Sequence, residues 1–137
     1  MRYAALTGLG AIAAPAISWA TPPADPVSGA TVFKKCVACH SVEPSGRNGL
    51  GPNLAGVVGR GAAKAPGFSY SPAMATAKLV WTEQTLSRFL ASPRQVVPGT
   101  RMTFAGLPNP QDRANVIAFL KQSGPKQPAP KQKGAKK

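Results

Sequence analysis

Cys36-Val37-Ala38-Cys39-His40 decides how this chain is read. The pentapeptide holds both cysteines of the protein and its only histidine. Residues confined in this way to five positions act as one unit. C-x-x-C-H is the attachment pattern for c-type haem. Each thiol can close a thioether to a vinyl group, and the adjacent imidazole then falls over the porphyrin plane as an axial iron ligand. Other uses of the pair fit less well. A thioredoxin-like redox pair belongs in a βαβ pattern, and none surrounds these residues. A closed zinc site takes four protein ligands, one more than two Cys and one His supply. A structural disulfide across so short a loop is the remaining alternative.

Outward from the pentapeptide, the chain reads as helices separated by long loops. Upstream, Asp25 followed by Pro26 forms an N-cap with proline at the first helical position. Val27, Ala30, Phe33 and Val37 recur at helical spacing. This predicts a helix from about Pro26 to about Cys39, with the haem motif near its end. Downstream, Ser41 to Ser71 is glycine-rich and aperiodic, with turns at Gly51-Pro52 and Pro66-Gly67. A loop of this length wraps around something or carries function. Ser71-Pro72 opens a short helical segment to about Lys78. Thr82 caps a segment with an apolar stripe of Leu86, Phe89 and Leu90, and Pro93 ends it. A loop follows from Val96 to Pro108. Asn109-Pro110-Gln111-Asp112 then starts a last helix, with Val116, Ile117, Phe119 and Leu120 as its buried face, stopped at Gly124-Pro125. No strand alternation stands out, so the fold class is all-α.

The two ends differ from the middle. Arg2 precedes an apolar run from Tyr3 to Ile17, and Ser18-Trp19-Ala20 resembles a small-x-small cleavage site. Residues 1–20 therefore read as a secretory signal peptide. The run is too short and too rich in Ala and Gly for a convincing transmembrane helix, so no stable membrane insertion is expected after cleavage. Residues 21–124 form one domain. Residues 125–137 hold five lysines and no large apolar side chain, and read as a disordered, solubilising basic tail. The net charge is +13, from 17 Lys+Arg against 4 Asp+Glu, which suits acidic partners. Export makes nucleic acid an improbable one. With 14 Gly and 15 Pro the domain is loop-rich and its protein-only core small, so a covalent haem would supply missing apolar mass.

With one histidine, a bis-His iron site is excluded. The soft candidates for the opposite axial position are Met74 and Met102, since Met1 leaves with the signal peptide. Met74 lies in a short helical segment, where methionine usually fills core space. Met102 lies in the loop Pro98-Gly99-Thr100-Arg101-Met102-Thr103-Phe104, which proline and glycine hold in shape. Two firm axial ligands exclude substrate. A closed haem implies a carrier, and an open one an enzyme or sensor.

Taken together, the motifs resemble class I cytochrome c, the mitochondrial cytochrome c and bacterial cytochrome c2 group. They are Gly29-x-x-x-Phe33, Cys36 to His40, Gly51-Pro52-Asn53-Leu54, Gly59-Arg60, Ala65 to Tyr70, Trp81, Pro98 to Phe104 and Val116 to Leu120. The resemblance runs from about Gly29 to Lys121. It implies one haem c bound through Cys36 and Cys39, wrapped by helices and long loops, with His40 and Met102 as axial ligands. It implies that the Pro52 carbonyl accepts from His40 Nδ1–H, fixing the tautomer. Arg60, Tyr70 and Trp81 would surround a buried haem propionate. Thr100 would add a hydrogen bond on the methionine side, and Phe104 would cover the haem edge. Gly29 and Phe33 would pack against Val116 and Phe119.

Three departures stand out. Phe89 replaces the usual tyrosine, and Met74 a frequent asparagine, which makes this part of the pocket less polar and disfavours added positive charge on iron. The first helix is one residue shorter before the haem motif than in mitochondrial members, which with the signal peptide leans to the bacterial subgroup. By the same resemblance, Lys35, Arg94 and Arg101 belong to a basic ring around the exposed haem edge. The expected protein is a monomeric periplasmic electron carrier, not an enzyme. Its donor would be a quinol-oxidising cytochrome bc1-type complex and its acceptor a terminal oxidase or photosynthetic reaction centre. The alternatives are a dedicated acceptor for a periplasmic dehydrogenase and an open-haem peroxidase or sensor. A peroxidase normally wants a distal acid–base residue, and no second histidine exists to serve.

Overall fold

A computed structural model describes residues 20–124. The segment read above as a signal peptide, apart from Ala20, and the segment read as a basic tail lie outside the described residues. Five helices follow in order: α1 (Pro26–Phe33), α2 (Pro72–Thr76), α3 (Glu83–Ala91), α4 (Pro93–Val96) and α5 (Pro110–Gln122). Extended pairing among the described residues is limited to one isolated antiparallel bridge, Gly61 with Val80. The chain is all-α, as expected.

Four of the five helices start at a residue whose side chain caps them. Asp25 accepts from the backbone N–H groups of Val27 and Ser28, both at 3.0 Å, with Pro26 at the first position. The Ser28 hydroxyl and these two amides hold the Asp25 carboxyl below its ordinary value. Ser71 Oγ accepts from Met74 N, Thr82 Oγ1 from Thr85 N and Asn109 Oδ1 from Gln111 N. All four are short polar side chains that satisfy donors the first helical turn leaves over.

α1 ends sooner than its sequence periodicity predicts. After Phe33 the bonds tighten to a three-residue span: Lys34 N to Thr31 O, Lys35 N to Val32 O and Cys36 N to Phe33 O. The pentapeptide is thus a run of turns that continues the helix axis without its regular ladder. α4 is also new relative to the sequence reading. Ser92, with φ −157°, breaks α3, and Pro93 then serves as the first residue of a further short turn.

α1 and α5 form the most extensive helix pair, and α3 packs on α5. Their close approach depends on Gly29, where a Cβ would collide with the Asn115 carbonyl and the Phe119 Cβ. Val116, another expected neighbour, is a core residue, 1% exposed, in one cluster with Phe33. Phe33 and Phe119 stack tilted, with ring centroids 5.2 Å apart. A polar tie joins the chain before α1 to α5. Asp25 N donates to Asn115 Oδ1 at 2.8 Å, and Gln111 Nε2 donates to Pro23 O and Asn115 Oδ1. The remaining core gathers Trp81, Leu86, Phe89, Leu90, Val97, Leu107, Ile117 and Leu120.

Candidate haem site

Cys36, Cys39 and His40 lie at the end of the α1 turn run, all half-buried. Cys39 N and His40 N both donate to Cys36 O, at 3.0 and 2.9 Å, which coils the pentapeptide tightly. The thiols are free and unbridged. Burial pushes the Cys36 thiol up, partly offset by nearby Lys35.

His40 Nδ1 donates to the Pro52 carbonyl at 2.7 Å. That bond assigns the proton to Nδ1 and leaves the Nε2 lone pair for a metal. Burial lowers the imidazole pKa, against the opposing pull of the Pro52 carbonyl, so the neutral, ligating form is favoured. The backbone of Gly51, which the sequence analysis placed in a turn and in a family motif without a role toward the ring, also packs against it. A Cβ at this position would strike the imidazole. A glycine directly before the proline of such a turn is the signal that could have found it.

The 41–66 loop is locked by amides. Asn48 Nδ2 donates to Pro66 O at 2.9 Å, and Asn48 Oδ1 accepts from Asn53 N at 2.8 Å. Asn53 in turn bonds Glu43 O, Gly46 O and Ala55 N. Sequence reasoning assigned neither residue a role of its own, because their partners are backbone groups brought near only by folding.

Arg60, Tyr70 and Trp81 come together, though not through one shared contact. Arg60 Nη1 donates to Ala55 O and Nη2 to Asn53 O, both at 3.0 Å. Burial lowers its pKa, while neighbouring Tyr70 acts in the opposite direction. Trp81 N donates to Arg60 O at 2.9 Å, and the buried indole stacks on Phe89 at 4.9 Å. Tyr70 Oη accepts from Ala65 N at 3.2 Å. Arg60 thus spends two N–H groups on its own loop and keeps others for a further acceptor.

Met102, the expected second ligand, is half-buried and packs against the core. Thr100 Oγ1 accepts from Met102 N at 3.3 Å. Arg101 Nη2 donates to Ser69 O at 3.2 Å, which ties the methionine loop to the 61–71 loop. Phe104 is half-buried and shares a cleft of about 250 Å³ with Arg94. Met74 and Phe89 are both buried in the core, 9% and 6% exposed.

Comparison with known proteins identifies the family. The family described as Cytochrome c matches residues 26–124. The chain belongs to the cytochrome c family. It is 55% identical over 96 residues to cytochrome c2 of Rhodomicrobium vannielii, covering 70% of this chain and 77% of that one. It is 49% identical over 98 residues to cytochrome c2 of Rhodoblastus acidophilus, covering 72% and 92%. The solved structure of cytochrome cH from Methylobacterium extorquens superposes with a TM-score of 0.68 at 40% identity, covering 72% of this chain and 98% of that one.

Membership of the cytochrome c family makes the protein a carrier of covalently attached haem c, a redox protein and not an enzyme. The residues present suit that group. Two free thiols precede an imidazole whose Nδ1 is already engaged, beside a backbone on which glycine leaves the ring room. Among the described residues, no helix is long and apolar enough to cross a membrane.

Proposed function

We propose that the protein is an exported, periplasmic one-electron carrier of the cytochrome c2 type, whose haem iron would be held by His40 and Met102. The observation that carries this reading is the His40 Nδ1–Pro52 carbonyl bond of 2.7 Å beside two free thiols. When bound, the haem supplies the one-electron couple. The protein's part is to hold it and to choose its partners. Cys36 and Cys39 anchor it, His40 offers a neutral Nε2, and Pro52 keeps the ring in that tautomer. Met102 closes the opposite side, with Thr100 orienting its backbone and Phe104 covering it. Thioether ligation favours the reduced state and raises the potential. Arg60, Tyr70 and Trp81 receive a buried carboxylate of the cofactor, for which Arg60 retains free N–H groups.

Lys35, Arg94 and Arg101 are exposed and form the steering face. A carrier must meet partners often and leave them quickly, which complementary charge achieves by speeding encounter. The donor is a quinol-oxidising bc1-type complex, and the acceptor an oxidase or reaction centre. Residues 1–20 direct export, 21–124 form the haem domain, and 125–137 keep the mature chain soluble. The test is stopped-flow reduction of the haem-loaded protein by a purified bc1-type complex at increasing ionic strength. Fast reduction that slows as salt rises is expected. No reduction at any salt would remove the carrier assignment, and reduction without salt dependence would remove the steering face.

A further inference from the structure

We propose that Asn48 is a deamidation site which the folded loop holds inactive, so that its conversion to aspartate or isoaspartate records opening of the histidine side of the haem site. Asparagine is a chemically labile residue. Its carboxamide carbon is open to attack by the backbone nitrogen of the next residue, and a glycine there has no side chain to obstruct the approach. Of the four asparagines in the chain only Asn48 is followed by glycine. Asn53, Asn109 and Asn115 precede Leu54, Pro110 and Val116, and the proline has no N–H to give up.

The reaction needs only water. The Gly49 nitrogen bonds to Asn48 Cγ, the Cγ–Nδ2 bond breaks, and ammonia leaves with the proton from the Gly49 nitrogen. A five-membered imide remains. Water then opens it at either carbonyl. One opening gives aspartate. The other gives isoaspartate, in which the chain runs through Cγ and gains a methylene. No electrons change hands: an amide and a water become an acid and ammonia.

The fold restrains every group that must move. Asn48 Nδ2, the leaving group, donates to Pro66 O at 2.9 Å, and Oδ1 accepts from Asn53 N at 2.8 Å, so the carboxamide is held at both ends. The nucleophile is held as well, because Gly49 N donates to Gly51 O at 2.9 Å. A Cβ on Gly49 would lie 2.9 Å from the Cys39 carbonyl oxygen, so the backbone is pressed against Cys39 there. Three hydrogen bonds must break before the imide can close. Water and charge do not stand in the way. Asn48 is half-buried and lines a cleft of about 620 Å³ with Arg47, Arg60 and Lys64 and, among the described residues, no acid. A new carboxylate there meets cations, and nothing electrostatic opposes it. The conversion is one-way. A carboxylate cannot donate to Pro66 O, which loses its partner. The extra methylene of isoaspartate also shifts Gly49 out of register with Gly51.

The test incubates the haem-loaded, full-length protein at mildly alkaline pH, with and without unfolding concentrations of guanidinium chloride. Trypsin then cuts after Arg47 and Arg60, which leaves Asn48 on a haem-free peptide, Asn48–Arg60, and mass spectrometry follows its conversion. Asn53 on the same peptide stays unchanged and serves as the internal reference. Conversion of Asn48 is expected to be at least about a hundredfold slower in the folded protein, because the reaction tracks the population of the open form. Asn53→Ala keeps the Asn48-Gly49 pair and removes the side-chain bonds to Glu43 O, Gly46 O and Ala55 N. It is expected to speed conversion in the folded protein about tenfold, the effect of one lost hydrogen bond on opening. No conversion of Asn48 in guanidinium chloride would overturn the site. Equal rates in folded and unfolded protein would overturn the lock, and so would a folded Asn53→Ala protein that converts no faster than the unmodified one. The comparison of folded with unfolded protein needs no variant and decides the proposal even where Asn53→Ala does not fold.

Discussion

The histidine side of the site is assembled from one stretch, Cys36 to Leu54, closed on itself by short-range bonds. The methionine side hangs on a loop, Pro98 to Phe104, whose ties come from distant segments. Around His40 the Pro52 carbonyl, the Gly51 backbone and the Asn48–Asn53 amides leave the ring little freedom. Around Met102 the bonds are a local one to Thr100 and a tether from Arg101 to Ser69, 32 residues away. Pro98, Gly99, Arg101 and Thr103 in that loop are all exposed. Stability is not uniform across a fold, and segments with few buried contacts open first. The histidine wall should therefore fail only with the whole domain, and the methionine wall should be able to fail alone.

Substitutions can break that contrast, and they fall in a clear order of size. Gly51→Val forces two methyl groups and a Cβ into the imidazole. It is expected to cost about 3 kcal/mol in denaturant unfolding and to disturb the haem spectrum as well, since overpacking has no soft neighbour to displace. A silent Gly51→Val would mean that the histidine wall yields easily. Met102→Ala comes next. It should keep the haem covalently bound, lower stability by about 2 kcal/mol and let carbon monoxide bind the reduced protein. Covalent haem with no carbon monoxide binding in this variant would show that another side chain closes the site.

Asn48→Ala removes two hydrogen bonds within the loop that backs His40. About 1–2 kcal/mol of stability should be lost with no change in axial ligation, read by thermal unfolding and absorption together. Arg101→Gln is the smallest. Its exposed tether contributes about 0.5 kcal/mol. The expected result is faster amide hydrogen exchange around Met102 with an unchanged global midpoint. Equal acceleration around His40 would erase the distinction between the two walls.

The same contrast explains what could be read from the sequence. The pentapeptide, the four capped helix starts and the stripe of α3 are local signals, and each appears where its residues place it. α1 was extended too far because periodicity does not distinguish a helical ladder from turns that follow the same axis. α4 was missed because proline reads as a stop even where it begins a new turn. The packing of Gly51 on His40 and the amide lock of Asn48 and Asn53 join groups that only folding brings together. Gly29 was legible as a close-approach glycine and meets Phe119 as expected, but its nearest neighbour is the Asn115 carbonyl, a backbone atom that no side-chain pattern reports. Arg60 shows the intermediate case. The family resemblance implied a carboxylate partner for it, but the loop carbonyls of Asn53 and Ala55 that orient it were invisible in sequence.

The central claim is that iron is closed by His40 on one side and Met102 on the other. Absorption spectra of the purified haem protein in both oxidation states, with carbon monoxide added to the reduced form, test it most directly. The account predicts low-spin spectra, a far-red methionine–iron band in the oxidised protein and no carbon monoxide binding. A high-spin spectrum or ready binding of carbon monoxide would contradict it.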